Sequence, residues 1–302
     1  MSKPELVIIT NVFFNYLSYL EYLTALYNHN PFSIENSPLK NIVLKFRKIS
    51  FGSKLGEVGN KFFIWSVFHN FLSESDTPEK LNTVYKNNII NYVEQTVDLI
   101  SSTIDGHFMP IWEKHRVIID TTSQIIQNRI NRDVLAKISK DHGSCWPDKI
   151  IINLAIATAS GTSYGYPLTI LAKENVPEEN ILESIIHELV HFIDLTDTAS
   201  TMFFKVFARK MSQRKVAPIF LWMIKHAWIY YYSGEFLRNH FNIKNFVPAY
   251  ARRNNKCSSI ENIFIEAIKN RLDGSDPGSM NIDQHTSVLC DIGEKSHISI
   301  KS

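Results

Sequence analysis

Cysteine is scarce in this chain. Cys145, Cys257 and Cys290 are odd in number, far apart and without CxxC spacing, which excludes a disulfide framework and a thiolate zinc site and fits a reducing compartment. An excess of one charge is also missing. Thirty-two Lys and Arg stand against 30 Asp and Glu, a formal +2, so affinity for a polyanion is not the main business of the chain and no nucleic-acid partner is expected. There is no internal repeat and no low-complexity segment. Nor is there an uninterrupted apolar run of bilayer length. The run 219–232 is short and broken by Lys225 and His226, so it predicts a core helix and no membrane span.

What remains is an ordinary globular composition, 302 residues at 44% hydrophobic and 21% charged, enough for one large domain or two modest ones with a sizeable core. Between Leu6 and Leu23 the polar residues Asn11, Asn15, Ser18 and Glu21 recur at spacings of four, three and three, which predicts an amphipathic helix. No small-residue cleavage site follows, so no signal peptide is expected and the location is read as cytoplasmic. Turn clusters separate further helices up to the polar stretch around residues 73–78, where a boundary is placed. Helices are predicted over 81–104 and about 121–139. The β-branched run Lys149 to Ala157 predicts a buried strand. Tyr166 to Ala172 predicts a second strand, at an edge because Pro167 leads it. After Asp273 the Gly, Ser and Asp content predicts a loosely ordered tail. The resulting division is a helical region 1–75, a domain 76–272 and a tail 273–302.

The chemistry gathers on one helix. Asn175-Val176-Pro177-Glu178 reads as a helix start, and the helix is predicted to run from near Pro177 to about Leu195. Within it lies His187-Glu188-Leu189-Val190-His191, an HExxH pattern. Residues four apart on a helix are about 6 Å apart along the axis and about 40° around it, so both imidazoles reach one metal ion. Ile181, Leu182, Ile185, Ile186, Leu189, Val190, Phe192 and Ile193 make the helix apolar on most sides, while Glu183, Ser184, His187, Glu188, His191 and Asp194 form one polar stripe. Zn2+ bound by two histidines needs a third protein ligand and keeps its fourth position for water. A metzincin pattern would offer Asp197, but Asp194 stands where the turn-forming glycine belongs. A gluzincin pattern takes a glutamate from a later helix, with Glu235, Glu261 and Glu266 as candidates.

Tyr250-Ala251 and the polar turn after it lead to Ser258-Ser259-Ile260-Glu261 and on to Glu266-Ala267. Together with HExxH this resembles the anthrax lethal factor type of zinc metallopeptidase over roughly residues 165–272. The resemblance implies an α+β, mostly helical zincin-like domain with a small mixed sheet. It implies His187, His191 and Glu261 as zinc ligands, Glu188 as general base and Tyr250 as oxyanion stabiliser. The turn before Glu261 is about four residues longer than in that family, and Glu261 and Glu266 are five apart where the family has four, so Glu266 stays open as the ligand. Ser258 and Glu261 also form a capping box, a structural reason for the same glutamate. The implied activity is a zinc endopeptidase acting on a protein substrate, as a toxin or effector secreted by a specialised system into a host cytosol. The rival from another class is a non-catalytic interaction protein whose amphipathic helices bind a partner or membrane surface. Lys205, Arg209, Lys210, Arg214 and Lys215 are read as a solvated helix face rather than a docking site for acidic ligands.

Overall fold

The computed structural model describes residues 4–52, 88–157, 168–195, 202–214, 218–252, 259–272 and 282–301. The chain divides into two compact units, one of Glu5–Gln124 with Lys149–Asn175, the other of Met1–Pro4, Ile125–Asp148 and Val176–Ser302. It is mostly helical with one small sheet, an α+β protein.

The first unit holds the sheet, with strands β1 (Glu5–Ile9), β2 (Lys149–Ala155) and β3 (Leu168–Leu171) in the order β1-β2-β3. Both pairings are parallel, with Ile9 opposite Asn153 and Asn153 opposite Thr169. The sheet is therefore parallel rather than mixed among the described strands, and β3 is an edge as its sequence implied. Residues 6–9, read as the start of a helix, are instead strand. Their β-branched run pairs with the equally β-branched Ile150, Ile151 and Ile152, and tertiary pairing outweighs the helical periodicity. Helix α1 (Val12–His29) begins only after Asn11, whose side chain accepts from the Phe14 N–H at 2.9 Å. Of the polar stripe beyond it, Asn15 and Ser18 are buried and Glu21 is partly exposed. Asn15 is fully buried; its Nδ2 donates to the Leu154 carbonyl and its Oδ1 accepts from the Ile156 N–H, both at 2.9 Å, so it extends the ladder of β2. Helices α2 (Lys40–Gly52) and α3 (Asn88–Thr103) follow. A π-helical turn, Ile104–Phe108, then leads into α4 (Met109–Arg129). That turn drives Phe108 into the core, stacked on Tyr16 with ring centroids 4.6 Å apart.

The second unit is helical. The predicted helix over 121–139 is broken after α4, because Asn131 caps a new helix, α5 (Arg132–His142), by accepting from Asp133 and Val134 N–H. Gly143, left-handed at φ 59, closes α5, a conformation glycine takes without a Cβ penalty. Next come α6 (Glu178–Leu195), α7 (Met202–Gln213), α8 (Pro218–Asn239), the short α9 (Ala249–Arg252), α10 (Ser259–Leu272) and α11 (Ile282–Lys301). Asn175 does not cap α6. It turns left-handed at φ 57, and the first carbonyl accepting within the helix is that of Pro177. The tail read as loose contains α11, which buries Leu289 and Cys290 and is tied to α7 by Lys210 to Asp283 at 2.7 Å and Arg214 to Asp291 at 2.6 Å. Two of the five basic residues read as a solvated face thus join helices.

The α5 end is anchored on α8 through Asp141, which accepts from Lys137 Nζ at 2.6 Å and from the Tyr232 hydroxyl at 2.8 Å. Beside it His142 is wholly buried, its Nδ1 on the Ile138 carbonyl at 3.0 Å and its ring edge-on to Tyr232 at 4.6 Å. Burial pushes this imidazole down to about 4 from 6.5, because the charged form has lost its hydration. An unfolded histidine takes up a proton near 6.5 and the folded one only near 4. Folding therefore carries no penalty from this group above pH 6.5, and loses about 3 kcal/mol as pH falls from 6.5 to 4. In His142→Phe the urea midpoint is expected to fall less steeply over that window than in the parent, and identical slopes would contradict the assignment.

Candidate metal centre

Helix α6 carries a conflict that its packing does not require. Leu182, Ile185, Ile186, Leu189 and Val190 show no exposed surface, and each contributes roughly 1.5–3 kcal/mol of burial. Yet Glu183, His187 and Glu188 are buried on the same helix at 3%, 6% and 5% exposure, where polar groups cost free energy unless satisfied.

Glu183 has a structural answer. Its two oxygens accept from the Ala249 N–H and the Arg252 guanidinium, each at 2.7 Å, which fastens α9 to α6. On the other side of that segment Gly234 of α8 lies so close that a Cβ there would fall 2.5 Å from Pro248 Cβ. Tyr250 is consequently packed into structure. Its hydroxyl donates to Glu235 Oε1 at 2.8 Å, with Arg238 bridging Glu235 and the phenol oxygen. Burial first, and then the Glu235 carboxylate, hold its pKa well above the usual phenol range.

The histidines answer differently. His187 Nε2 and His191 Nε2 are 3.1 Å apart, and His226 of α8 joins them so that the ligand nitrogens of all three lie within 4.8 Å of one another. Three nitrogens about 2.0–2.1 Å from one tetrahedral zinc ion would be separated by roughly 3.3 Å. The α6 pair already has this spacing, and a ligand nitrogen of His226 lies within 4.8 Å of both. Burial, with His226 and Lys225 nearby, pushes the half-buried His191 down to about 3, which keeps it in the neutral form that binds metal. The donor set fits zinc, three imidazoles with no competing thiolate among them.

Helix α8 supplies more than the third imidazole. Trp222, His226 and Tyr230 follow one another at four-residue spacing and so share one face. Along that face the Tyr230 ring lies 4.3 Å from His187 and 4.8 Å from His226, and the Trp222 indole stacks on His226 at 5.0 Å.

Of the residues expected from sequence, His187, Glu188 and His191 are gathered on α6, and Tyr250 is engaged with Glu235. Glu235 itself is committed to Tyr250 and Arg238. Glu266 lies on α10 with its carboxylate largely exposed, 3.9 Å from Lys269. Glu261 is on α10, but its side chain, like Asp197, lies outside the described residues. His226 was missed because it looked like a polar interruption in an apolar helix. The signal was its place midway between Trp222 and Tyr230 on one helix face. No known protein family, curated protein or solved structure matches this chain.

Proposed function

We propose that the chain is a zinc-dependent endopeptidase in which His187, His191 and His226 hold the metal and Glu188 is the general base. The observation that carries this reading is the convergence of the three imidazoles beside a buried glutamate on an otherwise apolar helix. When bound, zinc polarises a scissile carbonyl and brings the pKa of water toward roughly 7. Glu188 takes the proton of the attacking water and passes it to the leaving amine, a role favoured by its 5% exposure, since little bulk water competes for the carboxylate. In this reading Tyr230, whose ring lies 4.3 Å from that of His187, replaces Tyr250 as the phenol assigned to steady the developing oxyanion. The resemblance of residues 165–272 to lethal factor-type peptidases implies Glu261 as third ligand; in the present reading His226 takes that place.

The test is cleavage of unfolded casein by the purified, zinc-supplemented chain, followed by mass spectrometry of the new termini. Cleavage is expected to stop with 1,10-phenanthroline and to return when zinc is restored. Full cleavage by the metal-free chain, or no new termini with zinc present, would contradict the proposal.

A further inference from the structure

Trp222 is 55% exposed, the only described tryptophan that is largely in solvent, and it is not an isolated surface ring. Its indole lies nearly parallel to the His226 imidazole, at 5.0 Å and 23°. One face of the indole therefore covers a candidate metal ligand, and more than half of the side chain stays open beside it. A single exposed aromatic is common on a protein surface; what sets Trp222 apart is that its ring stacks on a histidine of the three-histidine cluster. The nearest cation in sequence, Lys225, is drawn to α7, where its Nζ sits 4.7 Å over the Phe204 ring. The ladder Trp222, His226, Tyr230 thus runs from an open apolar ring, through the ligand, to a phenol.

We infer that Trp222 is the wall of a specificity subsite that receives an apolar or aromatic side chain next to the scissile bond of an extended polypeptide. This rests on the proposed metallopeptidase reading and deepens it, since it names the substrate class: peptides with a large apolar residue flanking the cleaved bond. A side chain lying flat on the indole excludes water from that side of the site. Stacking also adds to the area buried, so the preference is carried by Trp222 itself and not by the metal.

The experiment uses the full chain loaded with Co2+, whose visible absorption reports a change in coordination. It is titrated with two chelators of the same head group, acetohydroxamate and phenylacetohydroxamate. The parent is expected to bind the phenyl compound about tenfold more tightly or better. Trp222→Ala is expected to bring the two affinities together with cobalt still bound, and Trp222→Phe, which keeps a ring, to retain most of the preference. Circular dichroism of each variant separates a lost subsite from a lost fold. An unchanged ratio in folded Trp222→Ala, or no preference in the parent, overturns the subsite while leaving the metal reading intact. A chain that takes up no cobalt overturns both.

Discussion

Glu188→Gln is expected to reduce peptide-bond cleavage by about 10²–10⁴-fold while zinc stays bound at one ion per chain. Glutamine has almost the same shape and size, so the packing of a residue 5% exposed on α6 is kept. What is removed is the proton acceptor. A neutral amide has no useful basicity near pH 7, and the loss falls on the chemical step rather than on substrate binding. The measurement is kcat and KM for a cleaved peptide, with elemental analysis of the same preparation. A fall in kcat at unchanged metal content is the expected pattern. Loss of metal together with activity would show that Glu188 supports the ligands and is not the base.

Much of the second unit was legible because its signals are local. The apolar faces of α6 and α8, the HExxH spacing and the cut between apolar and polar sides depend on residues within two turns of each other. The first strand was not legible, since Val7, Ile8 and Ile9 are strand only because β2, about 140 residues away, offers a parallel partner. Asn15 illustrates the same point. On a helix it reads as a solvent-facing polar residue, and only the end of β2 explains its burial. The tail was misread in the same way, because α11 is held by ion pairs to α7 that no local pattern announces. The three-histidine cluster divides along this line too. His187 and His191 share a helix, and their spacing is visible in the sequence. His226 reaches them through packing of α8 on α6, a long-range fact, where the sequence offers Glu235, Glu261 and Glu266 as the third candidate. The resemblance implies Tyr250, and the structure gives its hydroxyl to Glu235.

His226→Ala is expected to weaken zinc binding by at least about 100-fold, the same order as His191→Ala. Changes confined to groups that only orient a ligand already cost about 10–100-fold, and here a ligand itself is lost. His226 is half-buried, so truncation to alanine leaves the α8 core of Ile224, Ala227, Trp228 and Ile229 in place. The fold should persist while the site loses one of its three protein donors. Glu261→Ala and Glu266→Ala are expected to leave zinc affinity within about twofold of the parent, since neither belongs to the three-nitrogen set.

The most direct measurement is therefore zinc per chain, by elemental analysis after dialysis against a weak chelator, in the parent, His226→Ala and Glu261→Ala. The three-histidine centre predicts about one zinc in the parent and in Glu261→Ala and almost none in His226→Ala. Zinc retained in His226→Ala and lost from Glu261→Ala would contradict it and return the third ligand to α10.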